Sequence, residues 1–321
     1  MYKKYKYLVL FSIAVSFLFF YLVTYNVEDI RNKKDYYNIS VINRHTNSRS
    51  FEIMMQGMEQ ASNDMKADIT YISLTEYNNV EEQNQLLKRE YDNGVDAILI
   101  SAADSDYLVP TVNEISIKIP VISIESNVNT QNITAFYSAD NYKMGEVLGK
   151  RILSEITNED KNILILQGSI NSYSLCEREK GIIDILSKNG IIVNTIPFIG
   201  VDTSKPYFFE NLIFEYNPDI IIATETEVLE STASYFQNND KWNGKIYGIG
   251  VTGKIASYIE KDIISAIVVQ NEFNVGYLSV KGAVSAIKGE RVKTADIDYK
   301  VVDSKNMYTK ECQKLIFPFI R

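Results

Sequence analysis

The sequence predicts an α/β protein of two doubly wound parallel-sheet lobes facing each other across a cleft, preceded by one transmembrane helix. Three observations lead to this. From residue 39 onward, short runs rich in Ile, Val and Leu alternate with amphipathic stretches, as in parallel strands joined by crossover helices. The alternation proceeds to about residue 139 and then restarts. A charge-free apolar run, 7–27, stands before all of it.

No charge occurs between Lys6 and Glu28. As a helix that run would be roughly 31 Å long, close to the hydrocarbon thickness of a bilayer. Lys3, Lys4 and Lys6 precede it, and Tyr2, Tyr5, Tyr7, Tyr21 and Tyr25 cluster near its ends. Basic residues on the N-terminal flank predict a short cytoplasmic N-terminus with the domain outside, and tyrosines suit the interface. A cleaved secretory signal is the alternative reading. The segment YLVTYNVEDI offers no small-residue cleavage site, so an uncleaved anchor is expected. Residues 28–37 are polar and read as a short stalk.

The elements follow in order. ISVIN (39–43) is a strand, and a helix from 50 to about 66 places Phe51, Met54, Met55 and Met58 at helical spacing. DITYISL (68–74) is a strand. Asn78 or Asn79 caps a helix carrying Leu87 and Tyr91, which Gly94 ends. DAILISA (96–102), a helix over 106–117 and PVISIE (120–125) complete the first series. Asp140 can cap a helix that begins at Asn141. KNILILQG (161–168), a helix over 172–188, IIVNTIPFIG (191–200), a helix over 204–216 and DIIIAT (219–224) follow. A helix over 227–237, KIYGIGV (245–251), a short helix over 255–260, ISAIVVQ (264–270) and a helix over 272–288 continue the pattern. The strands are nearly continuous in apolar residues, as strands covered on both faces should be. The apolar run LIFPFI (315–320) is expected to pack on a lobe, with a partner surface as the alternative.

Composition removes several classes. The net charge of −8 and the absence of Lys/Arg runs argue against a nucleic-acid binder. One histidine, His45, and two cysteines, Cys176 and Cys312, exclude zinc sites of the usual spacing. They also leave no common histidine-activated nucleophile outside His45. A disulfide between two cysteines so far apart in sequence is not expected. No catalytic constellation is visible. Glu225 and Glu227, two residues apart, would point to opposite faces of an extended chain. No cofactor and no metal is expected.

At this point VDAILISAADSDYLVPTV (95–112), IPVISIES (119–126) and FYSADNYKMGEVLGKRI (136–152) resemble the type 1 periplasmic sugar-binding proteins, the ribose-binding proteins among them. CEREKGI, NPDIIIAT and SAIVVQNEFNVG follow in that family's order, so the resemblance extends from 39 to about 305. It implies two lobes joined by three crossovers with a sugar held in the cleft. The expected divisions are 38–139 plus 271–299 for the N-terminal lobe and 140–270 plus 300–321 for the C-terminal lobe. Sugar-responsive repressors share this fold but open with a DNA-reading helix-turn-helix, where this chain has its apolar run.

The resemblance also nominates a ligand site. Arg178 matches the arginine that donates to sugar hydroxyls, a role suited to its planar fork. Asp140 matches the carboxylate at the lobe crossover. Gln270 matches a ligand-bonding glutamine, with a hinge-lining role as the alternative. Glu125 replaces the usual aspartate, and Ser126 stands where the ribose proteins have arginine. Phe51 matches one of two stacked aromatics, with plain core packing as the alternative, and Ser50 stands where the other would be. Glu225 stands in place of an asparagine and Gly250 in place of an aspartate. The loop NRHTNSRSF adds Arg44, His45 and Arg49, which could face the cleft or lie exposed. These departures imply a ligand other than ribose, with an altered hydroxyl pattern or an anionic group.

The expected mechanism is hinge closure around ligand. Two outlets remain open. One is a receptor that signals to a membrane partner such as a sensor histidine kinase. The other is the substrate-binding subunit of an ABC sugar importer with its permease. No cysteine near the anchor can carry the lipid that usually tethers such carriers in single-membrane bacteria, which favours the receptor.

Overall fold

A computed structural model describes residues 13, 15–17, 21, 36–44, 51–156, 161–198, 206–239 and 242–317. Two compact units result, Met1–Tyr37 and Asn38–Arg321. In the first, Ile13, 15–17 and Tyr21 are helical and exposed. The rest of the 7–27 run and most of the stalk lie outside the described residues. Among those described, no helix is long and apolar enough to cross a membrane.

The second unit holds two sheets. The first contains β1 (Tyr37–Asn43), β2 (Ala67–Ser73), β3 (Ala97–Ile100), β4 (Val121–Ile124) and β5 (Ala135–Tyr137) in the order β2-β1-β3-β4-β5. β1 pairs with β3, β3 with β4 and β4 with β5, all parallel. The second contains β6 (Ile163–Gln167), β7 (Val193–Pro197), β8 (Ile220–Ala223), β9 (Lys245–Ile249), β10 (Ala266–Gln270) and β11 (Tyr299–Val302) in the order β11-β10-β9-β8-β6-β7. Its last strand runs antiparallel to β10. The helices are α1 (Glu52–Met65), α2 (Val80–Asp92), α3 (Val109–Ile115), α4 (Asn141–Leu153) and α5 (Tyr173–Lys188). They continue as α6 (Pro206–Tyr216), α7 (Thr226–Phe236), α8 (Gly253–Glu260), α9 (Glu272–Ile287) and α10 (Lys310–Ile316).

Every residue of β3, β4, β8 and β10 is buried. This is what near-continuous Ile/Val runs require of strands covered on both faces. One core gathers Ile42, Leu87, Ile98, Ile100, Val112 and Val121. A second gathers Leu164, Phe209, Ile221, Leu229, Ile246 and Ile267.

The chain leaves the first sheet after β5, and α4 packs against α5 and the β9–β11 strands. It returns after β10, and α9 packs on α1 and β3–β5. It crosses once more into β11. The two helix pairs use the same device. A Cβ on Gly57 of α1 would lie 2.0 Å from the Phe273 carbonyl oxygen of α9, and one on Gly276 would lie 2.0 Å from that of Met54. In the α4–α5 pair, Gly145 and Gly181 meet the carbonyls of Arg178 and Tyr142 in the same way, at 2.1 Å each. Both crossings bring backbone against backbone, which only glycine permits.

The structure departs from the sequence expectation at three places. The third helix starts at Val109, not at 106, because Asp104 Oδ1 accepts the N–H groups of Asp106 and Tyr107 and holds a turn there. The short strand β5 was not expected. Strand β11 makes the second sheet mixed rather than wholly parallel. Helix α10 occupies part of the apolar C-terminal stretch: Leu315 and Ile316 are buried in the second core with Cys312, and Phe317 packs against it. Residues 318–320 of that stretch lie outside the described residues. Both cysteines are free.

Candidate functional site

The strands of each sheet end in loops that carry the polar residues, as the topology of open α/β sheets dictates. Arg44 directly follows β1 and is fully buried. Its guanidinium lies 2.6 Å from Glu225 Oε1 and 3.4 Å from Glu125 Oε1, and it donates to Asn78 Oδ1 at 3.2 Å. Glu125 directly follows β4 with φ of 58°, and its other oxygen accepts from Ser101 Oγ at 3.1 Å. Glu225 precedes α7 and is 1% exposed. Its Oε2 accepts from the hydroxyl of Tyr77, which stands in the loop between β2 and α2. Gly168 makes room for this carboxylate, since a Cβ there would sit 2.0 Å from Glu225 Oε2.

Arg178 of α5 completes the cluster. It is buried, donates from Nε to Asn141 Oδ1 at 2.8 Å and from one terminal nitrogen to the Thr224 carbonyl at 3.1 Å, and lies 4.0 Å from Glu125. Nearby, the Ser126 and Ser172 hydroxyls pair at 3.1 Å. Two arginines thus face two glutamates in a space walled by both sheets.

Burial and neighbouring charge act on Arg44, Arg178 and Tyr77. Burial opposes the Arg44 charge, but Glu225 and then Glu125 overcome it and hold the guanidinium above its ordinary range. Burial lowers the Arg178 value, and Glu125 partly offsets that. Burial and then Glu225 push the Tyr77 phenol up, so it remains a donor.

The structure sorts the expected residues. It brings Arg178, Glu125, Glu225 and Ser126 together between the sheets. Gln270, the last residue of β10, is buried; it accepts the Ala139 N–H at 2.8 Å and donates to Glu272 at 3.0 Å. Asp140 is exposed and caps α4 by accepting the Lys143 N–H at 3.0 Å, with an ion pair to the same lysine. Its neighbour Asn141 is the residue that reaches Arg178. Phe51 is buried, at 4% exposure, where α1 begins. Arg49, Ser50 and His45 lie outside the described residues. Asp140 instead lines a cavity of about 780 Å³ on the crossover side, with Phe136, Ser138, Tyr173 and Tyr299.

Sequence reading missed Tyr77, Asn141, Ser101 and Ser172. Each of Tyr77 and Ser101 follows a strand of the first sheet, so their place in βα loops was a usable signal. Among the described residues no group of three or more His, Cys, Asp or Glu side chains could hold a metal ion.

With this geometry in hand, the comparisons are direct. The sequence model of the periplasmic binding protein domain matches residues 39–291, and the chain belongs to that family. No curated protein sequence matches the chain. Among solved structures, a carbohydrate transporter solute-binding protein from Agrobacterium radiobacter in complex with D-arabinose has a TM-score of 0.81 at 21% identity. The match covers 87% of this chain and 98% of that one. GanP, a glucose-galactose binding protein from Geobacillus stearothermophilus, has a TM-score of 0.76 at 23% identity, over 86% of this chain and 100% of its own. A structure of a XylFII–LytSN complex gives 0.73 at 19%, over 84% and 98%. The likeness establishes the two-lobe α/β fold.

Proposed function

We propose that the chain is a membrane-tethered, extracytoplasmic receptor that binds a small carbohydrate by hinge closure and signals to a membrane partner such as a sensor histidine kinase. One observation carries the binding part. Buried Arg44 and Glu225 and half-buried Glu125, from strand ends of both sheets, and buried Arg178 of α5 converge on one space. Arg44 Nε and Thr224 Oγ1 are buried there with no hydrogen-bond partner among the described residues. Such groups suit hydroxyls. Each hydrogen bond gains only about 1 kcal/mol net, and an unmatched buried polar group costs as much or more, so the set of partners sets specificity. Because the four charges balance within the cluster, a neutral polyhydroxyl ligand fits better than a sugar acid. Ligand that bonds both lobes at once stabilises the closed form. The relatives that carry D-arabinose or bind glucose and galactose support a sugar as ligand.

The signalling part rests on the charge-free run at 7–27 and on the likeness to a protein seen in complex with LytSN. The importer reading is supported by the likeness to a transporter solute-binding protein. We divide the receptor into lobes 38–139 plus 271–299 and 140–270 plus 300–321.

A thermal-shift screen against pentoses, hexoses and sugar acids tests binding. A ligand at about 100 times its Kd adds about 2.7 kcal/mol to stability. At least one neutral sugar is expected to raise the Tm, and no shift across the panel sinks the reading. The tether is tested by alkaline carbonate extraction: the chain should stay with the membrane pellet, and release into the supernatant refutes it. Affinity capture of the full chain on sugar would then separate the two outlets, a kinase co-purifying in one and a permease in the other.

A further inference from the structure

Glu225 follows a strand of the second sheet, while Arg44 and Tyr77 follow strands of the first, yet both bond the Glu225 carboxylate; Arg44 and Glu225 are buried and Tyr77 is half-buried. The first-sheet side is a single preformed body. The Arg44 carbonyl accepts the Asn78 N–H at 3.1 Å, and its guanidinium donates to the Asn78 side chain. Asn79 then caps α2 by accepting the Glu82 N–H at 3.0 Å. Tyr77 is therefore presented by a loop fixed on both sides. On the second-sheet side, Glu225 is seated against Gly168, where a Cβ would lie 2.0 Å from its Oε2.

We propose that Arg44 and Tyr77 are positioning residues that clasp Glu225 across the cleft, so that protein groups alone draw the two lobes together. A ligand bound at Glu225 must then take the place of the Tyr77 phenol, whose hydroxyl offers the carboxylate the same donor as a sugar hydroxyl. The ligand's part in this deepens the receptor reading and rests on it, whereas the clasp itself needs no ligand. The clasp is reversible for a physical reason. Opening returns the Glu225 carboxylate to water and leaves Arg44 facing Glu125 on its own side, so that hydration and the remaining pair offset much of the attraction lost.

The test measures lobe separation in the full chain in detergent micelles, without sugar. Spin labels are placed at Lys88→Cys on α2 and Lys188→Cys at the end of α5, both exposed, in a Cys176→Ser background; Cys312 is buried. The parent should show a single distance. Tyr77→Phe, which removes one oxygen and keeps the ring, and Glu225→Gln should each move about a third or more of the molecules to a longer distance. The same distribution in all three proteins overturns the clasp. The sugar panel, run by thermal shift on the same proteins, keeps the two readings apart. Stabilisation by D-arabinose or another sugar with unchanged distances removes the clasp and leaves the receptor. Lengthened distances with no sugar stabilising any of the proteins leave the clasp and remove the receptor.

Discussion

Arg178 shows how much one side chain carries. Its guanidinium spends two donors on protein acceptors, Asn141 Oδ1 and the Thr224 carbonyl, before it meets any ligand. Arg178→Ala leaves both acceptors buried and unpaired, a loss of about 2–4 kcal/mol. We expect a lower Tm together with loss of any sugar-induced shift. Arg178→Lys should rescue neither, because an ammonium's donors all sit on one nitrogen and cannot match two acceptors spaced for separate nitrogens of a planar fork. A full sugar shift in the lysine variant would show that Arg178 only packs. Asp219 gives a pH signature. The Lys161 ammonium at 2.9 Å and the Asn162 N–H at 2.9 Å lower its pKa. A carboxyl depressed in the folded state adds stability above its unfolded pKa, near 3.9, and that stability is lost as pH falls through the folded value. Asp219→Asn should therefore flatten the fall in Tm as pH drops below the unfolded carboxyl's range, and an unchanged slope would count against it. At this scale the sequence named Arg178, Glu125 and Glu225 through resemblance. It did not name Tyr77 or Asn141 as site residues, because the partner of Tyr77 lies across the cleft and that of Asn141 on a neighbouring helix.

At the scale of elements, the α4–α5 crossing links packing to the site. Gly145 lies against the carbonyl of Arg178 itself. Gly145→Ala must push the helices apart, at a cost of about 1–3 kcal/mol, and the shift acts on Asn141 and Arg178 together. The expected outcome is a lower Tm with a weakened sugar response. The matching Gly57→Ala in α1–α9 should lower the Tm alone, because that crossing holds no cleft arginine. Equal effects of both on sugar binding would disprove the link. Strands and most helices were legible, since periodicity and caps are local. Strand β5 was not, being three residues long. Nor was β11, whose YKVV looks like any short apolar patch until β10 offers it an edge.

For the whole molecule, residues 38–321 form one compact unit although they contain two sheets. Three crossovers join the sheets, Gln270 ties the first crossover to the second, and the buried Arg44–Glu225 pair bridges the cleft. Unfolding should therefore appear as one calorimetric transition, as for a cooperative unit. Two transitions separated in temperature, one for each sheet, would show that these ties are weak.

The sequence by itself determined the architecture: alternating apolar runs and amphipathic stretches dictate strands, crossover helices and a doubly covered sheet, because hydrophobic burial and backbone hydrogen bonding act over short segments. It also determined that polar residues would follow the strands. Only the tertiary structure decided which of them meet. Asp140 caps its own helix and Gln270 bonds the Ala139 N–H, while Arg44 and Tyr77 reached a glutamate about 150–180 residues away in the chain, as the numbering shows. The physical reason is that an ion pair across a cleft is set by how two separate sheets face each other, and no local pattern in either one encodes that distance.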